Sequence, residues 1–252
     1  MIRLLRGEDI VGLGSAGLAN AEGTQAWLES VGEVVKRDRH SMVALANLDG
    51  RFSYCKYYRP KGMLQRLQFR FGGGRAVAAF DSAQALVSAG IEVPSPRACA
   101  LLEDGMLLVT EAFEEASDLK SLWQAGQSED RLAQLMAHAG AVLASLHEAG
   151  FSHGDAKWSN FLVAGTAMYL VDLEAVLTSA PAASSGVRDI ARFTLNAEDM
   201  GLAPEHFSAF LDVYAEDRSI PRCDIEVRIQ PLLSKLRARH MTKYGARGHP
   251  LV

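Results

Sequence analysis

The run His153-Gly154-Asp155-Ala156-Lys157-Trp158-Ser159-Asn160, with Asp172 twelve residues further on, concentrates the residue types that phosphoryl transfer needs. Moving a γ-phosphoryl group requires an acceptor hydroxyl held in line and negative charge neutralised on the phosphate oxygens. A carboxylate such as Asp155 can orient the hydroxyl and take its proton late. Lys157 supplies a point charge for the moving group. Magnesium takes oxygen ligands, few of them from protein, and Asn160 and Asp172 offer an amide oxygen and a carboxylate. His153 reads as a buried brace of the loop, because Asp155, two residues later, has the spacing to the metal-binding asparagine.

These residues need a scaffold, and the flanking sequence supplies one. Leu132, Leu135, Met136, Ala139, Val142, Leu143 and Leu146 recur at helical spacing. Ser128 caps that helix, Glu129 and Asp130 sit in its first turn, and Gly150 ends it. After the loop, 161–163 and 168–171 read as two strands joined at Gly165-Thr166, with Asp172 leaving the second. Further helices are expected over 187–196, 204–215 and 225–241. Asp189, in the first of these, can brace the loop by accepting hydrogen bonds from its backbone or from His153.

The preceding region reads as β-rich. Strands are expected over 32–36, 41–47 and 52–58, with Asp49-Gly50 as the turn between the last two. Lys56 lies on the third strand, where a lysine can hold nucleotide phosphates. Residues 76–89 read as a helix whose one acidic residue is Asp81. Strands over 97–102 and 106–111 turn at Asp104-Gly105. Glu111-Ala112-Phe113 then forms the crossing to the second half, where backbone groups can read an adenine edge. Arg37 to His40 occupy the first turn in place of a glycine-rich phosphate loop, and Gly72-Gly73-Gly74 reads as a flexible connector.

Composition bounds the function. The 252 residues are 48% hydrophobic, enough for a sizeable core. No apolar run reaches the roughly eighteen residues of a membrane-spanning helix. The first residues turn acidic too early for a secretory signal. Cys55, Cys99 and Cys223 are too far apart for a zinc site or a disulfide frame, so reduced thiols and a cytoplasmic setting are expected. The net charge of −4 hides a segregated chain: 36–75 holds ten Lys/Arg and two Asp/Glu, 76–226 holds eight and twenty-three, and 227–252 holds six and none. The basic segments suit ATP, a phosphorylated glycolipid or an anionic membrane surface. They lack a nucleic-acid-binding motif, and no nucleic acid partner is expected.

With these motifs assembled, the chain resembles the protein-kinase-like superfamily, and within it the lipopolysaccharide core kinases that phosphorylate heptose or Kdo. The resemblance runs from about Gly32 to Tyr214. It rests on Ser53 to Tyr58, on Ala89-Gly90-Ile91-Glu92-Val93-Pro94 and on His153-Gly154-Asp155-x-Lys157-x-x-Asn160. It continues through Val171-Asp172-Leu173-Glu174 and Arg188-Asp189-Ile190-Ala191-Arg192-Phe193. It implies an α+β, bilobal kinase-like fold: an N-terminal extension over 1–31, an antiparallel N-lobe with one helix over 32–112, and a mainly helical C-lobe with a basic end over 113–252. It also implies ATP and Mg2+, with Asp155 as base, Lys157 beside it, Lys56 on the nucleotide, and Asn160 and Asp172 on the metal. The implied partner is the lipopolysaccharide core glycolipid, met in the cytoplasm or at the inner face of the inner membrane. Two departures stand out: the helix over 76–89 lacks the glutamate that steadies the strand lysine, so that Asp81 or another acid pairs with Lys56 or the pair is absent, and Glu174 replaces the glycine of the usual Asp-Phe-Gly. An aminoglycoside- or metabolite-type phosphotransferase and a nucleotide-binding pseudokinase use the same scaffold.

Overall fold

The structure, a computed structural model, describes residues 2–10, 21–178, 185–245 and 248–252. Arg247, one of the basic residues of the C-terminal segment, lies outside them. The chain divides into two compact units, Met1–Ser88 with Val93–Glu115, and Ala89–Glu92 with Ala116–Val252.

The first unit is built on six strands: β1 (Arg3–Gly7), β2 (Gly32–Arg37), β3 (Ser41–Leu48), β4 (Arg51–Tyr58), β5 (Pro96–Leu101) and β6 (Met106–Glu111). They form one sheet in the order β1-β5-β6-β4-β3-β2, every pairing antiparallel. Among the described residues three helices accompany it: α1 (Ala21–Val31), α2 (Met63–Arg70) and α3 (Arg75–Ser88). Of these, α3 is the one helix expected; α1 and α2 come in addition, and β1 joins the sheet through β5. Side chains alternate across a strand, and the central strands of this sheet are buried on both faces. Met42, Ala44, Ala46, Leu48, Cys55, Tyr57, Leu107 and Val109 form one core with Leu28 of α1. Tyr58, Cys99, Met106 and Leu108 form a second core with Phe69 of α2 and Phe80 of α3. β6 is therefore apolar on both faces, as a central covered strand must be.

Gly72-Gly73-Gly74 is a tight α2–α3 turn, not the flexible connector expected. The Gly72 and Gly73 amides donate back to the carbonyls of Phe69 and Gln68, at 2.9 and 3.0 Å. Gly74 has φ +126°, and a Cβ there would lie 2.7 Å from the Phe69 ring. The run of glycine lets the chain reverse against an aromatic side chain.

The second unit is mainly helical: α4 (Leu119–Ala125), α5 (Glu129–Glu148), α6 (Ser185–Met200), α7 (Pro204–Asp217) and α8 (Arg222–Tyr244). Short strands β7 (Ser117–Asp118), β8 (Phe151–Ser152), β9 (Phe161–Ala164), β10 (Ala167–Leu170) and β11 (Leu177–Thr178) pair as β10-β9-β7 and β11-β8. Helices α5 and α7 pack so closely that a Cβ on Gly140 would lie 2.4 Å from the Phe210 carbonyl oxygen. Phe193 of α6 stacks on Phe210 of α7 at 4.0 Å between ring centroids. It also meets Phe161 of β9 edge-on at 5.3 Å, so the bundle core reaches the strands that carry the sequence motif.

Candidate active site

The motif loop starts where α5 stops. Ser128 caps the helix start through Arg131 N–H, and Gly150, at φ +80°, ends it in the left-handed conformation. β8 follows at once and pairs with β11, Ser152 opposite Leu177. The loop from His153 onward is thus pinned at its entry.

His153 is fully buried, and its ring links three parts of the loop. Nδ1 accepts from the Asp155 amide at 3.3 Å, and Nε2–H donates to the Val171 carbonyl at 3.0 Å. Acceptance at Nδ1 requires the neutral ring, and burial holds its pKa below the usual histidine value. The expected role of brace agrees with this geometry. Gly154 has φ +77°, and a Cβ there would sit 2.5 Å from the Ala175 carbonyl oxygen. Only glycine meets both conditions.

Beneath the loop lies Asp189 of α6, wholly buried. Its Oδ2 accepts from the His153 amide at 2.7 Å, and its Oδ1 from the Gly154 amide at 2.8 Å. His147 Nε2, at 3.1 Å, completes the cluster, and its Nδ1 lies 2.8 Å from the Tyr214 hydroxyl. Burial pushes the Tyr214 phenol up to about 12, which keeps it neutral within this network. A carboxylate that collects two adjacent backbone N–H groups fixes the path of the chain between them.

Asp155 emerges from this base partly exposed and flanked by two cations. Lys157 Nζ lies 3.0 Å from its Oδ2, and Arg192 Nη1 lies 2.6 Å from its Oδ1. Its backbone carbonyl accepts from the Lys157 amide and from Asn160 Nδ2, both at 2.8 Å. With Asn160 Nδ2 anchored in this way, the amide oxygen is the end left to meet a ligand. Asn160 is in turn tied to the far strand: its carbonyl accepts from Val171 N–H at 3.0 Å, one residue before Asp172. Asp172 adopts the left-handed region, φ 63° and ψ 52°, a conformation that few side chains other than Asp and Asn adopt. The β9–β10 hairpin therefore brings Asn160 and Asp172 to one end, as their order in the sequence suggested. Among the described residues no cluster of three or more His, Cys, Asp or Glu gathers for a metal. An ion bound here would rely on few protein ligands, in the way magnesium usually does.

Arg192 and Asn196, like His147 and Tyr214 beneath the loop, received no role from the sequence. Arg192 contacts Asp155, and Asn196 Oδ1 accepts the Trp158 amide at 3.0 Å. A signal was present: Asp189, Arg192 and Asn196 stand at i, i+3 and i+7, a polar stripe along one face of a helix.

The first unit holds the remaining residues singled out. Lys56 lies on β4 opposite Val43 and Leu108, its Nζ 5.0 Å from the centroid of the Tyr58 ring. Asp81 turns to β1, its Oδ1 2.9 Å from Arg6 Nε. The amides of Glu111 and Ala112 donate to Ser95 and Phe52 carbonyls, at 2.9 and 3.1 Å. The Glu111 carbonyl accepts from the Thr110 hydroxyl at 3.2 Å, so this end of the crossing segment is tied into the sheet. Asp38 closes the β2–β3 turn by accepting from His40 N–H, Ser41 N–H and Ser41 Oγ–H, at 2.7, 2.8 and 2.6 Å. Cys55 and Cys99 are free and buried, and burial pushes both thiols up to about 12, so neither is a reactive thiolate.

Comparison with known proteins meets this geometry. A profile of the lipopolysaccharide kinase (Kdo/WaaP) family matches residues 20–214. The chain belongs to that family. It is a phosphotransferase of lipopolysaccharide core sugars, and a kinase family implies ATP use. A solved structure described as WaaP in complex with acyl carrier protein has the same kinase-like, bilobal fold. It aligns with a TM-score of 0.62 at 20% identity, covering 96% of this chain and 99% of that one. A search of the curated proteins gave no match. The matched span of this lipopolysaccharide kinase includes Lys56, Asp155, Lys157, Asn160, Asp172 and Asp189.

Proposed function

We propose that the chain transfers the γ-phosphoryl group of ATP to a heptose or Kdo hydroxyl of the inner core, with Asp155 as the group that receives the acceptor. The observation that carries this reading is the connected frame around Asp155. Asp189 fixes the backbone before it, Asn160 fixes the carbonyl after it, and Lys157 and Arg192 flank its carboxylate.

The acceptor hydroxyl donates to Asp155, its oxygen bonds to the γ-phosphorus, and the bond to the ADP oxygen breaks. The proton passes to Asp155 late. Flanking cations hold this carboxylate in place to orient the acceptor hydroxyl, and late proton transfer suits a loose transition state. Lys157 lies near enough to leave Asp155 for the incoming phosphoryl group, while Arg192 stays as the counter-charge. Asn160 Oδ1 and Asp172 would hold Mg2+, which when bound neutralises phosphate charge. Lys56 would meet the α- and β-phosphates. Backbone groups of the crossing segment Glu111-Ala112-Phe113 would read the adenine.

The acceptor is a lipid-linked, anionic sugar, so the reading puts the enzyme at the cytoplasmic face of the inner membrane, in peripheral contact with it. Purified protein, ATP and core glycolipid should give a product with one added phosphate, located by fragmentation to heptose or Kdo. Transfer to aminoglycosides or free metabolites alone would overturn the assignment of acceptor.

A further inference from the structure

Helix α2 is turned inside out. At about 100° per residue, Met63, Leu67, Phe71 (the residue at its C-terminal cap) and Leu64 fall within one arc of roughly 100°. That arc faces solvent: these side chains are 87, 51, 82 and 86% exposed. Phe69, on the opposite side, is the one buried residue of the helix and pins it to the Phe80 core. Single exposed apolar residues are ordinary, but four on one face of a short helix mark a contact surface.

Charge tells which contact. Residues 59–75 carry Arg59, Lys61, Arg66, Arg70 and Arg75 and no acidic residue. Arg66 and Arg70 are exposed and border the apolar arc on one side. A third arginine, Arg3 of β1, donates to the Arg70 carbonyl at 3.1 Å, which adds positive charge where the helix ends. Apolar side chains rimmed by arginine match the boundary between acyl chains and anionic headgroups. A second copy of the chain is a poor occupant, because a two-fold contact would oppose these arginines to themselves.

We infer that α2 is a membrane-docking element that lies on an anionic bilayer leaflet, inserting Met63, Leu64, Leu67 and Phe71 while Arg66 and Arg70 meet headgroup phosphates. The inference deepens the reading of a glycolipid kinase and rests on it for its purpose: docking brings the enzyme to the leaflet that carries its acceptor.

The test uses the full chain and vesicles of phosphatidylglycerol and phosphatidylethanolamine, with phosphatidylcholine vesicles and soluble polyglutamate as controls. The wild type should float with the anionic vesicles, less so as salt rises. Replacing Met63, Leu64, Leu67 and Phe71 together by Ser should weaken that partition about tenfold or more. Arg66→Glu with Arg70→Glu should do the same without touching an apolar side chain. Each variant should phosphorylate a deacylated, soluble core oligosaccharide like the wild type, yet lose transfer to vesicle-embedded glycolipid. A wild type that stays off anionic vesicles overturns the inference. So do serine variants that bind as tightly as the wild type, and polyglutamate that displaces the vesicles, since charge alone would then explain binding. Vesicle binding by a protein that phosphorylates neither acceptor leaves α2 its role and sinks the kinase reading instead.

Discussion

Removing the Asp189 carboxylate tests whether the motif loop is held from below. Asp189→Ala deletes an acceptor shared by the His153 amide, the Gly154 amide and the His147 ring. Asp189, His153 and His147 are all fully buried, so water does not readily replace the lost oxygen atoms. A buried donor left unpaired costs about 1–3 kcal/mol. Three of them give about 3–9 kcal/mol, against a net domain stability of about 5–15 kcal/mol. Asp189→Asn keeps the volume and one oxygen but points an NH2 at a backbone donor, so about 2–3 kcal/mol is expected. Urea unfolding followed by tryptophan fluorescence reads this, because the Trp158 ring is buried beside Trp123 and Phe193 in the same unit. Where the variant folds, Asp155 shifts with its loop, and a displacement of about 1 Å can cost roughly 100-fold in kcat. An Asp189→Asn enzyme with an unchanged urea midpoint and wild-type kcat would refute the idea that Asp189 positions Asp155.

Other consequences follow from neighbouring residues. Asp172→Asn removes a proposed metal carboxylate and should raise the Mg2+ concentration for half-maximal activity about tenfold or more, read in a metal titration; an unchanged titration would remove Asp172 from the metal site. Gly154→Ala combines a left-handed φ with contact to the Ala175 carbonyl and should destabilise by more than about 1 kcal/mol, measured by urea unfolding. Burial lowers the His153 pKa in the folded state, so below the ordinary histidine value of 6.5 the unfolded chain binds the extra proton first. The His153 contribution to stability is therefore present above about that pH and is lost as pH falls towards its folded pKa. His153→Gln should flatten this part of the stability–pH curve, and an unchanged slope would place the titrating group elsewhere.

Much of the second unit was legible because local rules and tertiary demands agree there. The seven apolar residues of α5 repeat at helical spacing, Ser128 and Gly150 punctuate its ends, and the helix occupies Glu129–Glu148. The hairpin reverses at Gly165-Thr166 as read. Strand β1 was hidden because its sequence, with Arg3 and Arg6 among leucines, carries little alternation and its side chains are mostly exposed. Helix α2 was hidden for a related reason: its apolar stripe points away from the core, against the usual logic of amphipathic patterning. Partner choice was the least legible property. Asp81 reads as a candidate for Lys56, but Arg6 reaches it across 75 residues of sequence. Arg192 pairs with Asp155 only because α6 passes beneath the loop, a juxtaposition that spacing within either segment does not encode.

The central claim is that Asp155 receives the acceptor hydroxyl of a core sugar. The most direct measurement is single-turnover transfer of labelled γ-phosphate from ATP to core glycolipid by wild type and Asp155→Asn, with nucleotide binding measured alongside. Asparagine keeps the shape but cannot take the proton, so transfer should be abolished while ATP still binds. Transfer at the wild-type rate by Asp155→Asn would contradict the account.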